Sequence, residues 1–326
     1  MTDEAGGDPV SAPWWVAPGR RLIRALPAGR FRAAALAARS TAAPFVARMS
    51  PDHGGARFWC DLQDTIARDV CLIGIYEPQV SQVMAALLRS ATASASSSTV
   101  VVDVGANWGY FTLMAAQLIG RSGRVLAVEP DPRMFALLQR NLSLNGLSQV
   151  DAVACAAGAD RETRWLHGYA DGAENRGVSR IRAGASADAG GTTFAVRTAP
   201  LDRLLDERHI GVVDLIKIDV EGFEADVLGG MTDGLATQRY RRIVIELHPQ
   251  LLVERGTTAE DCAARLLAAG YTGWAFDHSP SAVRRAAYSR SLPLAALLTP
   301  SAGVPADDPW PHMLWTARDA PLSSHA

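Results

Sequence analysis

From about residue 98 onward, short apolar runs alternate with longer segments in which apolar residues recur at helical spacing. Short runs rich in Val and Ile are typical of strands that are buried on both faces. Strands alternating with helices predict a parallel sheet covered by helices on both sides. We therefore expect a doubly wound, Rossmann-like α/β fold with a mostly parallel sheet of seven strands. The expected strands are Thr99–Val104, Arg124–Val128, Ala152–Cys155, Val213–Ile218, Ile243–Leu247, Gly273–Phe276 and His312–Thr316.

The segments between these strands carry helix start and stop signals. Asp131 followed by Pro132 is typical of a helix N-cap with proline in the first turn, and Gly146 can supply the left-handed residue that ends the same helix. Right-handed crossovers bring the carboxyl ends of parallel strands to one edge, so a ligand is expected at that edge. The expected helices are Phe111–Ile119, Pro132–Asn145, Leu201–Arg208, Phe223–Leu228 and Ala259–Ala269.

Residues 159–198 interrupt the alternation. They are rich in Gly, Ala, Ser and Arg, and they contain two strand-like runs, Thr163–His167 and Thr192–Arg197. We expect an antiparallel insertion with a mobile loop between the two runs. Such a loop suits a lid over a bound substrate. Its glycines are Gly168, Gly172, Gly177, Gly190 and Gly191.

The first fifty residues differ in composition from the rest of the chain. No acidic residue lies between Asp8 and Asp52, whereas seven arginines do, and Trp14 and Trp15 precede them. We expect residues 1–55 to form an extension, either helical and packed on the domain that follows or partly disordered, ahead of one domain over residues 56–326. A basic segment flanked by tryptophan could also lie on an anionic membrane surface or receive a lipid-linked substrate. An organelle transit peptide has a similar composition, but the acidic residues before position 9 disfavour that interpretation.

The strongest local signal is the turn Asp103-Val-Gly105-Ala-Asn107-Trp-Gly109, which follows a strand and opens a helix. Gly105 permits the tight turn, and the helix N-terminus offers unpaired N–H groups. Glu129 ends the next strand, where a carboxylate can accept hydrogen bonds from a ribose diol. A dinucleotide-binding turn would need glycines where Asn107 and Tyr110 stand, because the backbone must approach a pyrophosphate. The pattern favours an adenosine ligand with an amino-acid tail, such as S-adenosylmethionine.

Four motifs together resemble the FkbM-type methyltransferases: DVGANWGYFTL from Asp103, VEPDP from Val128 with NLSLNGL, LIKIDVEGFEADVLGG from Leu215, and VIELHP from Val244. The resemblance covers roughly residues 56–276, and the segment GIYEP around Glu77 resembles that family's approach to the first strand. It implies the class I methyltransferase fold and transfer of a methyl group from S-adenosylmethionine, with S-adenosylhomocysteine as the product. The acceptor in that family is most often a hydroxyl oxygen of a sugar, polyketide or related metabolite. The residues expected at the cofactor are Glu77, Asp103, Gly105, Ala106, Asn107, Gly109, Tyr110, Phe111, Glu129, Pro130 and Asp219.

Acidic and imidazole side chains follow two neighbouring strands of the expected sheet. Asp219 and Glu221 come after Val213–Ile218, and Glu246 and His248 end the next strand. An alcohol must lose its proton as it attacks a methyl group, so we rank His248, then Asp219, then Glu221 as the catalytic base. Alternatively, Asp219 holds the amino group of the methionine tail or caps a helix, and His248 only caps its strand. Mg²⁺ binding by Asp219, Glu221 and His248 is permitted by the spacing but not favoured, and we expect no metal.

Lys217 is the only lysine of the chain, and it lies within a strand that we expect to be buried. A buried ammonium group is costly unless a negative charge neutralises it. We therefore expect a structural ion pair rather than a catalytic amine. The partner that we expect is Glu246, on the neighbouring strand.

Composition and charge narrow the remaining classes of function. The net charge of −2 and the absence of a basic stripe in the body of the chain disfavour a nucleic-acid partner. The four cysteines are widely spaced, which indicates neither a disulfide framework nor a zinc site, and no secretory signal is visible, so we expect a cytoplasmic protein. The alternatives to O-methylation are an N-methyltransferase for amines or amides, an NAD-dependent dehydrogenase and a non-catalytic nucleotide-binding protein. We expect a small-molecule or glycan acceptor, whose identity the sequence leaves open together with the oligomeric state.

Overall fold

The computed structural model describes residues 11–39, 43–94, 98–170, 179–182 and 191–322. The α-helices are α1 (Val16–Ala25), α2 (Arg30–Ala38), α3 (Thr65–Arg68), α4 (Pro78–Ser94), α5 (Tyr110–Ile119), α6 (Pro132–Asn145), α7 (Leu201–Asp206), α8 (Glu224–Gly229), α9 (Thr232–Ala236), α10 (Pro249–Glu254), α11 (Ala259–Ala268) and α12 (Pro280–Tyr288). The strands are β1 (Phe45–Arg48), β2 (Arg57–Cys60), β3 (Val100–Val104), β4 (Arg124–Val128), β5 (Val150–Val153), β6 (Ala156–Ala157), β7 (Thr163–Ala170), β8 (Arg180–Arg182), β9 (Gly191–Ala199), β10 (Leu215–Ile218), β11 (Arg242–Glu246), β12 (Thr272–Phe276), β13 (Leu298–Pro300) and β14 (His312–Thr316). Two 3₁₀ turns, Pro51–His53 and Leu294–Ala296, and one π-helical turn, Asp69–Ile73, complete the set.

An eight-stranded mixed sheet forms the centre of the protein, in the order β13-β12-β14-β11-β10-β3-β4-β5. The five strands from β11 to β5 are parallel, and β14 lies antiparallel between β11 and β12. The doubly wound, mostly parallel Rossmann-like fold predicted from the sequence is confirmed. The expected count of seven strands is one too low, because β13 adds an eighth at the edge. Its three residues end in proline, which an edge strand tolerates, and so short a run carries no clear pattern.

Alternate residues of the central strands face two separate cores. Val101 and Leu215 pack with α4 and α5 on one face, whereas Val102 and Ile216 pack with α7, α8 and α11 on the other. All four side chains are almost completely buried. Both faces of the parallel sheet are therefore covered, which explains the continuous apolar runs of its strands.

The insertion after β5 is antiparallel, as the sequence predicts. Thr163 of β7 lies opposite Arg197 of β9, and Trp165 lies opposite Ala195. Strand β8 pairs with β7 and strand β6 pairs with β9, which gives the order β6-β9-β7-β8. The loop predicted to act as a lid falls mainly on residues 171–178 and 183–190, including Gly172, Gly177 and Gly190, and these lie outside the described residues.

One strand of the parallel sheet lies two residues earlier than expected, at Val150–Val153 instead of Ala152–Cys155. Strand β5 is the edge strand of the sheet, and all four of its residues are half-buried. A half-exposed strand need not be apolar throughout, so its limits are poorly marked in the sequence. Cys155 instead immediately precedes β6.

Helices α1 and α2 pack on the domain through small and aliphatic side chains. Val16 and Ile23 of α1 and Ala34 and Ala38 of α2 are buried in the same core as α4 and α5. Arg24 of α1 donates hydrogen bonds to the carbonyls of Cys71 and Leu72, both at 3.3 Å. Residues 11–39 of the N-terminal extension are thus mainly helical and attached to the domain.

A β-hairpin formed by β1 and β2 spans position 55, which we used as the boundary between extension and domain. Asn141 of α6 fixes this hairpin to the first loop of the sheet. Its Oδ1 accepts a hydrogen bond from the Trp59 backbone N–H at 2.8 Å, and its Nδ2 donates to the Trp108 carbonyl at 2.8 Å. Asn141 is completely buried, so loss of either partner would leave a buried amide group unsatisfied.

Within the described residues, no single helix has both the length and the apolar character that a membrane crossing requires. Thr65–Ile73 and Pro78–Ala93 meet these criteria only when taken together, and they are bent by 67° relative to each other. Both segments contribute completely buried residues to the core, including Val70 and Val83.

Candidate active site

A cavity of about 320 Å³ opens where the carboxyl ends of β3, β4, β10 and β11 meet. The structure brings most of the predicted site residues together in its wall. These are Glu77, Gly105, Ala106, Asn107, Tyr110, Phe111, Glu129, Pro130, Asp219, Glu221 and His248. The predicted residues Asp103 and Gly109 lie outside the wall.

The turn after β3 packs directly on the loop after β10. Gly105 adopts a positive φ of 81°, and a Cβ at this position would lie 1.8 Å from the backbone oxygen of Asp219. No side chain can be accommodated at that distance, so the contact requires glycine. It places the Gly105 turn and the Asp219 carbonyl side by side in the cavity wall.

Asp103 and Gly109 support this turn from behind. Asp103 is buried, and its Oδ2 accepts a hydrogen bond from the Thr112 hydroxyl at 2.6 Å. Gly109 has a φ of 99°, and a Cβ there would lie 2.6 Å from a methyl group of Leu138. Asp103 thus ties β3 to α5, and Gly109 allows α5 to begin against α6.

Glu129, at the end of β4, holds the turn from the other side. Its Oε2 accepts a hydrogen bond from the Asn107 N–H and its Oε1 accepts one from the Asp131 N–H, both at 2.7 Å. Burial raises the pKa of Glu129 to about 8, although the two N–H donors oppose the shift. A carboxylate has about four acceptor positions, so two remain for a ligand in the cavity.

Lys217 pairs with a different carboxylate from the one predicted. Its Nζ lies 2.8 Å from Asp219 Oδ2 and 4.0 Å from Glu77 Oε2. Burial alone would lower the pKa of Lys217, but the charges of Asp219 and Glu77 raise it above its ordinary value. The ion-pair interpretation therefore holds, with Asp219 as the partner.

The prediction that Glu246 pairs with Lys217 is wrong, because the strand next to β11 in the sheet supplies Glu246 with a different partner. Strand β14 lies beside β11, and its His312 is directly opposite Glu246. His312 Nε2 lies 3.2 Å from Glu246 Oε2. Burial would lower the pKa of His312, but Glu246 and Glu77 raise it well above its ordinary value. Glu246 therefore has its own cationic partner.

His248 is held by a buried carboxylate that the sequence analysis missed. Its Nδ1 lies 2.7 Å from Glu224 Oε1, and Glu224 is completely buried at the start of α8. The other nitrogen, Nε2, lies 3.6 Å from Glu221 and 3.8 Å from Glu246. Burial would lower the pKa of His248, but the hydrogen bond with Glu224 and the three glutamate charges raise it to about 9.

Among the residues that the structure describes, two groups of side chains have ligand atoms close enough together to hold a metal ion. Asp219, Glu246 and His248 form one group, and Glu77, Glu246 and His312 form the other, each with its atoms within 4.8 Å of one another. The spacing along the sequence suggested Asp219, Glu221 and His248 as metal ligands, and the structure has Glu246 in place of Glu221. Lys217 lies against Asp219 and Glu77, and His312 lies against Glu246 and Glu77.

Backbone strain is concentrated around the cavity. Of the five non-glycine residues with positive φ in the described chain, three line the cavity wall. They are Glu77 at 39°, Asn107 at 53° and Glu221 at 51°. Such conformations cost free energy and occur preferentially at binding and catalytic sites.

Carboxyl groups outnumber cationic side chains in the cavity wall. Five carboxylates, Glu77, Glu129, Asp219, Glu221 and Glu246, face three cationic side chains, Arg180, Lys217 and His248. Burial raises the pKa of Glu221 to about 7, although the charge of His248 opposes the shift. An incoming cation would favour ionisation of such carboxyl groups, whereas an anion would disfavour it. The wall therefore suits a ligand of net positive charge.

Several residues of this region were not assigned a site role from the sequence. Glu224 was missed because an acidic residue in the first turn of a helix is usually a solvent-exposed one that interacts with the helix dipole. Arg180 lies between two stretches outside the described residues, and the 60% exposed Trp310 precedes β14. Only the glutamate spacing in the segment DVEGFE could have signalled Glu224, three residues after Glu221.

The chain matches the model of one known protein family. A family model of the methyltransferase FkbM domain matches residues 103–272. Methyltransferase 1 of Beauveria bassiana is 32% identical over 152 residues, which cover 41% of this chain and 58% of that protein. The 31-O-demethyl-FK506 methyltransferase FkbM of Streptomyces tacrolimicus is 33% identical over 171 residues, which cover 46% of this chain and 65% of that protein. The crystal structure of methyltransferase FkbM from Methylobacillus flagellatus KT aligns with this chain at 16% identity and a TM-score of 0.39. The alignment covers 93% of this chain and 60% of the Methylobacillus chain.

Proposed function

Because the chain belongs to the FkbM methyltransferase family, we propose that it transfers a methyl group from S-adenosylmethionine to a hydroxyl oxygen of a small molecule, sugar or glycan. The observation that carries this proposal is the excess of carboxylates around a glycine turn that admits no side chain. S-adenosylmethionine carries a sulfonium, an ammonium and a carboxylate, so its net charge is positive. A nicotinamide dinucleotide would bring a negatively charged pyrophosphate to the same wall.

The residues of the wall fit the parts of this donor. Glu129 has two free acceptor positions for the ribose diol, in addition to the two that hold Asn107 and Asp131. The Asp219 carboxylate can hold the ammonium group of the methionine part, while Lys217 limits the local excess of negative charge. Gly105 lets this turn pack on the loop that carries Asp219, because no Cβ fits between the turn and the Asp219 carbonyl.

When bound, the donor would supply a methyl group on a positively charged sulfur. In the reaction a carbon–sulfur bond breaks, a carbon–oxygen bond forms, and the hydroxyl proton must leave. We assign the proton to His248 Nε2, since Nδ1 is bound to Glu224 and Nε2 lies toward Glu221 and Glu246. Glu224 is then a positioning residue, which orients the imidazole as the carboxylate does in other His-carboxylate pairs. Only the neutral imidazole can accept the proton.

A hydroxyl acceptor is supported by the relative whose printed name refers to a 31-O-demethyl substrate. The presence of a base at the cavity also supports it, because a neutral alcohol is a poor nucleophile until its proton is removed. The acceptor would be small, since the cavity of about 320 Å³ also has to hold part of the donor.

Two experiments test the proposal. Calorimetric titration should show binding of S-adenosylmethionine and S-adenosylhomocysteine and no binding of NAD. Transfer of labelled methyl groups should then occur to hydroxylated sugars or metabolites but not to the matching deoxy compounds. Binding of NAD alone would overturn the donor assignment, and methylation of amines with no methylation of alcohols would overturn the acceptor assignment.

A matched pair of variants tests the base. His248→Asn should lower turnover by about a hundredfold, the usual effect of losing a general base, with nearly unchanged donor affinity. His209→Asn is the control, because His209 is exposed and has a positive φ that asparagine tolerates. Equal loss of turnover and donor affinity in His248→Asn would show that the residue only maintains the site.

A further inference from the structure

Large apolar side chains are exposed on the N-terminal helices. In the described chain nine large hydrophobic residues are exposed, and five of them lie between positions 14 and 36. We call these five the N-terminal apolar face: Trp14 (88% exposed), Leu22 (70%), Leu26 (37%), Phe31 (38%) and Leu36 (62%). The other four, Val212, Val253, Leu267 and Trp310, are scattered through the rest of the sequence.

This exposure follows from the way in which α1 is attached. Val16, Ile23 and the Arg24 guanidinium face the domain. Leu22 is rotated by about 100° from the buried Ile23 around the axis of α1, and Trp14 lies in the turn that precedes α1, so both side chains point away from the buried side. Helices α1 and α2 pack against each other, and their outer surfaces therefore adjoin. The apolar side chains lie outside the folded core and not within it.

The charged side chains of the segment that carries this face have a single sign. Residues 9–51 contain seven arginines and no carboxylate side chain. Arg24 and Arg30 bind the protein itself, through carbonyls of Leu72 and Ala287 among others. Arg20, Arg21, Arg32 and Arg39 take part in none of the ion pairs formed among the described residues. Arg21, Arg32 and Arg39 are exposed, and Arg20 is half-buried. These arginines are available to an external anion.

We propose that the N-terminal apolar face docks on the surface of an anionic phospholipid bilayer, with Trp14 and Leu22 among the acyl chains and the arginines at the phosphate groups. Exposed apolar residues interleaved with arginine are the composition of helices that lie in the plane of a membrane interface. Tryptophan prefers this interface because its ring is amphipathic. A second copy of the chain is a poor occupant, since pairing this face with itself would set arginines against arginines.

The test uses the full chain and vesicles of two compositions, phosphatidylcholine alone and phosphatidylcholine mixed with phosphatidylglycerol. We expect cosedimentation with the mixed vesicles, weakened by added salt because the arginine contribution is screened. The variant Trp14→Ser/Leu22→Ser/Leu36→Ser should bind these vesicles at least about tenfold more weakly, since it removes the most exposed apolar area. Arg21→Gln/Arg32→Gln/Arg39→Gln should abolish the preference for the anionic lipid.

The matched control is Val253→Ser/Leu267→Ser, which removes exposed apolar residues from α10 and α11. It should bind vesicles as the unaltered protein does. Circular dichroism and titration with S-adenosylhomocysteine establish that every variant is folded. The proposal is overturned if the unaltered chain ignores anionic vesicles, if the control loses as much binding as the Trp14 variant, or if ultracentrifugation shows a dimer that the Trp14 variant dissociates.

Discussion

Glu129 offers the most direct test of how the cavity would bind its donor. The change is Glu129→Ala. In the structure the Glu129 carboxylate accepts hydrogen bonds from the N–H groups of Asn107 and Asp131, at 2.7 Å each. Two of its acceptor positions remain for the ribose hydroxyls. Hydrogen bonds to a charged group contribute about 1.5 kcal/mol or more each, so loss of two should cost about 3 kcal/mol. This corresponds to an affinity about a hundredfold lower.

The assay is calorimetric titration with three ligands that share the ribose, namely S-adenosylmethionine, S-adenosylhomocysteine and adenosine. All three should lose affinity by a similar factor, because the lost contact is to the part that they have in common. Glu254→Ala is the control, since Glu254 is an exposed glutamate at the end of α10. Thermal unfolding shows whether the loop held by Glu129 is still folded. Unchanged adenosine affinity in folded Glu129→Ala protein would refute the assignment of this carboxylate to the ribose.

Three further predictions follow from the geometry of the site. Gly105→Ala should unfold the protein or abolish donor binding, because a Cβ would lie 1.8 Å from a backbone oxygen. Gly146 has free space around it, so the control variant Gly146→Ala should lower the free energy of unfolding by only about 1–2 kcal/mol in a urea titration. Lys217→Met should lower the free energy of unfolding by about 3 kcal/mol, since it leaves the half-buried carboxylates of Asp219 and Glu77 without their cation; a smaller change would show that water screens these charges. Turnover should rise with pH toward the His248 pKa of about 9, because only the neutral imidazole is a base. Glu224→Gln should move this rise to lower pH, because it removes a charge that stabilises the imidazolium. A pH profile that is the same with and without Glu224 would exclude His248 as the titrating base.

The first half of the site could be predicted from local sequence because all of its parts are local. Gly105 follows an apolar strand and precedes a helix, and Glu129 ends the next strand in the chain. Adjacent parallel strands joined by one helix are neighbours in most sheets of this kind, so the pattern along the chain also gives the arrangement in space. The structure indeed places both residues in the cavity wall.

The second half could not be predicted in the same way, because it depends on a strand from a distant part of the chain. Strand β14 lies between β11 and β12, which brings His312 opposite Glu246 and leaves Asp219 as the partner of Lys217. Nothing in the residues around Glu246 indicates that a histidine 66 positions later will neutralise it. Glu224 was missed for a related reason, since its burial depends on the position of His248 and not on its own helix.

The place of β14 in the sheet also has a consequence for biosynthesis. Strands β12 and β13 leave the ribosome before β14, yet β12 reaches the rest of the sheet only through β14. Until His312–Thr316 has been made, the nascent chain carries one open strand edge at β11 and another at β12, and such edges readily pair with other chains. The sheet is therefore completed only after His312–Thr316 has been synthesised, and a chain stalled near residue 300 would be prone to aggregation.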